Sequence, residues 1–375
     1  MFDFIPVSEY THYFHVSVLI MILITFWLCQ RGIVLNREVV NINAGWGFVF
    51  AIILILYMGL RPVDGAFGDT ANYASDFIRI QNGQKVLQWK WHGEWLFNSM
   101  MTWFAKNGSI TQLFLVCSIV YVGSLWLAMV RIFKSYYYIP FLVILSMFTF
   151  WAYGVNGVRN GAGASLFILA MTYVNNIPLM MTILFLAIGF HTSVYIMIAF
   201  AGLTWFVKNS YYYLATWFAC IIISYMAGFT IQEYLASLPL GIGDDRFSGY
   251  LTATEEQMRS EGMIVSMTFR WDFIAYSALG VGVGYYFIFK RNFKDEYYHW
   301  IYNTYLALNA FWILIIRAAY SNRFAQISWF ILPIVLIYPF MKKRFWINHE
   351  KMIGYAIIMF YAYTFFAVFI RNSVI

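Results

Sequence analysis

Three stretches of the chain hold residue types that can do chemistry on sugars and phosphates. The first is Phe67-Gly68-Asp69-Thr70-Ala71-Asn72-Tyr73, where glycine and asparagine permit a tight turn that presents a carboxylate, an amide and a phenol together. Such a set holds sugar hydroxyls; the alternative is that Asp69 caps a helix over 70–80. The second is Trp89-Lys90-Trp91-His92-Gly93-Glu94-Trp95, which interleaves indoles with a base, an imidazole and the Glu94 carboxylate. Flat apolar faces rimmed by hydrogen-bonding groups suit pyranose rings, and Trp89 and Trp91 are the candidates. A membrane-interface belt is the competing use, preferred for Trp95, which opens an amphipathic run to Phe104. The third stretch surrounds Arg159, the only formal charge between Ser135 and Val207. A guanidinium in so apolar a stretch is costly unless it has a partner or water, and small residues beside it (Gly157, Gly161, Ala162, Gly163) let a ligand approach. An anion is the natural ligand, with snorkelling to headgroups as the alternative.

Three further groups carry functional lettering. His191 sits in the apolar turn Gly189-Phe190-His191-Thr192-Ser193, where it hydrogen-bonds an acceptor hydroxyl or a phosphate, or serves as a structural histidine. Asp244-Asp245-Arg246 through Tyr250 reads as a lid element or a solvated turn. Arg270-Trp271-Asp272 places a cation where a loop re-enters an apolar run, or forms a helix-start ion pair.

The elements that must position these residues are membrane helices. With 62% hydrophobic and 11% charged residues, no soluble fold of this length covers its apolar area. Apolar runs fall at 13–29, 45–60, 110–130, 136–153, 158–174, 178–190, 192–207, 210–228, 271–289, 300–317, 324–340 and 352–370, about twelve spans in an all-α, polytopic single domain over 1–375. The runs 178–190 and 192–207 are short enough to be two tilted half-spans. Neither a cleavable signal peptide nor an internal repeat is evident.

Orientation follows from the bases. With the N-terminus outside, the inner loops hold seven Lys and five Arg, as the positive-inside rule asks. Two long outer segments result, 61–109 and 229–270, and these carry most of the acids. The outer side holds nine Arg and three Lys, and arginine's planar fork suits phosphate oxygens, so the chemistry is expected on the outer face. The basic pI calls for no nucleic acid, since anionic lipid suffices. Cys29, Cys117 and Cys220 all fall within apolar runs, and no P-loop, GxGxxG, HExxH or Asp-x-Asp motif is present. No metal or cofactor is therefore expected.

Taken in order, Gly68-Asp69-x-x-Asn72-Tyr73, Glu94-x-Leu96-Phe97, Gly157-Val158-Arg159-Asn160 with its small-residue helix, Phe190-His191-x-Ser193 and Asn322-Arg323-Phe324 resemble the EpsG family of polysaccharide polymerases, functionally akin to Wzy polymerases. The chain departs from the family pattern with Asn160 where members often have Gln, and Trp95 where they often have Pro. The resemblance implies a multi-pass enzyme of the bacterial cytoplasmic membrane, facing the periplasm or exterior. It would transfer a growing glycan from its polyprenyl pyrophosphate to the non-reducing-end sugar of a lipid-linked repeat, amid membrane lipids and with a chain-length regulator as a further partner. Arg159, Arg317, Arg323 and Arg270 would then stabilise pyrophosphate; Asp69, Glu94 and His191, in that order, are candidates for the base; Asn72, Tyr73, Trp89, Trp91 and Arg246 would hold sugars. Alternatives are a glycosyltransferase using a polyprenyl-phosphate sugar, an O-antigen-type ligase and a flippase.

Overall fold

The computed structural model describes residues 5–87, 89–91, 93–237, 249, 251–253, 256–257 and 267–370. Among the described residues every regular element is helical and none is a strand. Among the described residues, seven helices are long and apolar enough to cross a membrane: Val7–Gln30, Arg37–Gly59, Ile110–Ser146, Ser210–Ser237, Trp271–Lys290, Ser321–Lys342 and His349–Ile370. Val158–Met171, Ile177–Phe190 and Val194–Phe206 are shorter apolar helices. Large apolar side chains such as Ile20, Leu23, Ile24, Trp46, Ile52 and Ile53 lie on the outside, which only lipid solvates without penalty.

The run expected to cross unbroken at 136–153 is two short helices, Tyr138–Ser146 and Phe148–Val155, joined through an extended Met147. The Ser146 hydroxyl donates to the Val143 carbonyl (2.7 Å), the acceptor that the Met147 N–H would use in a continued helix. That N–H turns to the Ile144 carbonyl instead (3.2 Å), and the chain breaks there. The two half-spans expected around 191 are present as separate helices, with His191 extended at the break (φ −156°, ψ 136°).

The chain folds as two compact units, 1–194 with 340–375, and 195–339. In the first unit, Ile110–Phe133 is flanked by Arg37–Gly59 and Val158–Met171, and the latter by Ile177–Phe190. Ile110–Phe133 begins with a capping box in which Ser109 Oγ accepts from the Gln112 N–H and Gln112 Oε1 from the Ser109 N–H. The small-residue face of Val158–Met171 permits close approach: a Cβ on Gly161 would stand 2.7 Å from the Tyr153 carbonyl oxygen.

Two amphipathic helices of the segment 61–109, Thr70–Gln81 and Trp95–Asn107, lie on this bundle. Tyr73, Phe77 and Ile80 on one, and Phe97, Met101 and Ala105 on the other, recur at helical spacing and are buried against Phe114, Cys117, Val158, Ala162 and Phe190. This apolar seam brings the turn at 68–72 and the residue ahead of Trp95 to the start of Val158–Met171. In the second unit, Ser210–Ser237 kinks at Ala227 (φ −133°, ψ 25°). A buried polar knot holds that unit's core: Asn309 accepts from the Trp217 indole (2.8 Å) and donates to Ser277 and Ser328 hydroxyls.

Candidate functional site

Four segments of the first unit converge on Glu94. Glu94 precedes Trp95–Asn107 and is 7% exposed; one carboxylate oxygen is ion-paired with Arg159, in the first turn of Val158–Met171, and the other faces His191 Nε2 at 3.4 Å. Arg159 Nε donates to the Tyr73 hydroxyl (3.2 Å), and the guanidinium lies near the rings of Tyr73 and Phe97. The arginine is therefore held by protein groups rather than snorkelling. These contacts occupy two of the fork's five donors. Burial pushes the Tyr73 phenol above its ordinary pKa, so it stays a neutral hydroxyl at neutral pH.

His191 is fixed by its neighbours. The Ser193 N–H donates to Nδ1 (3.1 Å), and Nε2 faces Glu94. The Ser193 hydroxyl, 2.8 Å from Nδ1, also reaches Asn160 Oδ1 (2.9 Å), which links the break at 191–193 to the helix of Arg159.

Asp69 stands at the rim of this cluster, half-buried. It does not cap the following helix; its carboxylate accepts from the Asn72 side-chain amide (3.2 Å), and its own N–H donates to Asn156 Oδ1 (2.9 Å). The charge of Asp69 bears on both Tyr73 and Arg159. Gly68 makes the turn, at φ +63°; a Cβ there would fall 2.4 Å from the Asn156 side chain, so both the backbone conformation and the space demand glycine.

Asp69, Asn72, Tyr73, Glu94, Arg159 and His191 are thus gathered in one place. Trp89 and Trp91 pair edge to face (4.4 Å between ring centroids), both exposed, with Trp91 over Phe185. His92 and the stretch Asp244-Asp245-Arg246 through Tyr250 fall outside the described residues, apart from Gly249.

Arg317, Arg323 and Arg270 belong to the second unit. Arg317 donates to the Ser224 carbonyl (2.6 Å) and lies between the rings of Phe229 and Phe269. It lines a cavity of about 670 Å³ with Gln232, Glu233, Thr252 and Thr268. With its amide turned to satisfy both, the buried Gln232 accepts from the backbone N–H groups of Ala318 (2.6 Å) and Arg317 (3.2 Å). Arg323 is exposed over the ring of Tyr320, a non-glycine residue at φ +55°. Arg270 forms a two-pronged pair with Asp272 (2.9 and 2.6 Å), the helix-start ion pair that was the alternative for it.

Sequence reasoning passed over Arg61, which is fully buried under the same turn. Its Nη1 donates to the Met58 carbonyl and its Nη2 to Thr70 Oγ1 (2.9 Å) and the Val155 carbonyl (3.0 Å), with Phe114 against its face. Burial pushes its pKa down to about 10, so it remains a cation at neutral pH. The signal was available: Arg61 follows an apolar run as directly as Arg159 opens one. Asn156, Asn160 and Ser193 gave no comparable signal, because their roles depend on contacts across the fold.

Among proteins of known character, no curated protein and no solved structure matches the chain. The family model described as EpsG family matches residues 45–374, nearly its whole length. Every segment of the Glu94 cluster lies inside that match. The chain belongs to the EpsG family, which gives it a role in polysaccharide biosynthesis.

Proposed function

We propose that the protein is a Wzy-like polymerase that joins lipid-linked repeats, moving a growing glycan from polyprenyl pyrophosphate to a hydroxyl on the non-reducing-end sugar of the next repeat. The observation that carries this reading is the Asp69, Tyr73, Glu94, Arg159 and His191 constellation, inside an EpsG-family chain with an apolar exterior. The site is read as facing the periplasm or exterior, from the distribution of bases in the loops.

In this reading the acceptor hydroxyl gives its proton to Asp69 as its oxygen bonds to the anomeric carbon of the donor sugar. The bond from that carbon to the pyrophosphate oxygen breaks, and Arg159 stabilises the negative charge that the leaving lipid pyrophosphate gains. Glu94 is better suited to orient Arg159 and His191 than to take a proton, because its buried carboxylate is ion-paired with Arg159 through one oxygen and faces His191 with the other. His191 Nδ1 accepts from the Ser193 N–H, and Nε2 faces the Glu94 carboxylate at 3.4 Å. Asp69, at the rim beside Asn72, is the base of choice, with Asn72, Tyr73, Trp89 and Trp91 as sugar contacts. Arg317, Arg323 and Arg270 are retained as candidate pyrophosphate ligands in the second unit, and Arg246 as a sugar contact.

The test is a comparison of lipid-linked glycans from wild-type and deletion strains. A polymerase deletion loses the ladder and accumulates single repeats. Loss of one sugar from each repeat would instead indicate a single-sugar glycosyltransferase, and repeats trapped on the inner leaflet would indicate a flippase.

A further inference from the structure

A guanidinium withdrawn from water must satisfy its donors on protein oxygens, and the segments that supply them become tied together. Arg61 takes its acceptors from three places: the end of Arg37–Gly59 (Met58), the start of Thr70–Gln81 (Thr70) and the end of Phe148–Val155 (Val155). Thr70 closes the arrangement, since its hydroxyl accepts from Arg61 and donates to the Val155 carbonyl (2.9 Å). On the residue before Thr70 and the residue after Val155, the Asp69 N–H donates to Asn156 Oδ1. Asp69 and Arg159 are borne on the two turns so joined, at 68–70 and 155–159.

We propose that Arg61 is a positioning residue for the transfer reaction, holding the Asp69 turn in register with the turn that presents Arg159. The inference rests on the reading of Asp69 and Arg159 as groups that meet the substrate. A planar fork is required here: two N–H bonds from Nη2 reach Thr70 and Val155 while Nη1 reaches Met58, and an ammonium cannot span all three in that geometry. Removing the brace leaves the sugar contacts at Asn72, Trp89 and Trp91 chemically intact, so it acts on the transition state more than on binding.

The test uses full-length Arg61→Met, Arg61→Lys and Thr70→Val in proteoliposomes, with the lipid-linked repeat extracted from cells lacking this protein as the probe, and rates expressed per folded molecule. Misplacement of reacting groups by about 1 Å costs on the order of a hundredfold, so Arg61→Met is expected to lower kcat by roughly 50-fold or more with KM within about twofold. Arg61→Lys falls between this variant and wild type, and Thr70→Val, which deletes one hydroxyl at nearly constant volume, loses about five- to tenfold. If Arg61 variants do not fold, Thr70→Val decides. Unchanged kcat per folded molecule, with polymer lost only in proportion to protein, would overturn the proposal and leave Arg61 purely structural. Asp69→Asn and Arg159→Lys run in parallel: if these are inactive while the brace variants turn over normally, only the brace fails. If they turn over normally, the site itself has been misread and the brace falls with it.

Discussion

Glu94 and Arg159, 65 residues apart in sequence, form an ion pair whose carboxylate is almost wholly buried. A charge left alone in such a place is expensive, so each partner's removal is felt through the other. Glu94→Gln and Arg159→Gln are each expected to destabilise the protein by about 2–3 kcal/mol, and the double variant by clearly less than their sum. Thermal unfolding of the purified variants in one detergent gives the coupling. Activity separates the roles further: Arg159→Lys keeps the charge but not the fork and is expected to lose about a hundredfold in rate. Additive losses of stability and a fully active Lys variant would mean that Arg159 is a peripheral cation.

Gly68 and Gly83 both have positive φ, but only Gly68 is crowded, by Asn156; around Gly83 the space is open. Gly68→Ala is therefore expected to cost about 1–3 kcal/mol of backbone strain plus displacement of Asn156, and with it most of the polymerising activity. Gly83→Ala carries the backbone strain alone and keeps activity. The check is the length distribution of polymer made by equal amounts of the two variants.

The all-helical, membrane-type character was legible in the sequence because hydropathy and length dictate it; the count of about twelve spans was not, since seven described helices reach spanning length. Asp69, Glu94, Arg159 and His191 each stood out as titratable groups in settings where such groups are costly or specially arranged. Their partnership was not legible. That Glu94 faces both Arg159 and His191 follows from the apolar seams of Thr70–Gln81 and Trp95–Asn107 seating on the bundle, a tertiary event that no local pattern encodes. The break at Met147 was hidden for a related reason, since Ser146 bends a run whose composition reads as continuous. Arg270 shows the opposite case, with a local pair two residues apart that spacing alone suggested.

The outer-face orientation rests on the loop charges and has a direct check. Asn82 and Asn292 are exposed, in the first outer segment and in a loop assigned to the inner side. A cysteine at Asn82 is expected to react with an impermeant thiol reagent in intact or outer-permeabilised cells, and one at Asn292 only after the cytoplasmic membrane is opened. The reverse pattern would place the Glu94 cluster on the cytoplasmic side and remove the proposed substrate from its reach.

The most direct measurement of the central claim is the product of Asp69→Asn, assayed with lipid-linked repeats at wild-type protein level. The substitution keeps size and hydrogen-bonding capacity but removes basicity, so long polymer is expected to vanish while single repeats accumulate undegraded. A normal ladder from Asp69→Asn, together with its loss in Glu94→Gln or His191→Ala, would contradict the assignment of Asp69 as the base and transfer the role to that residue.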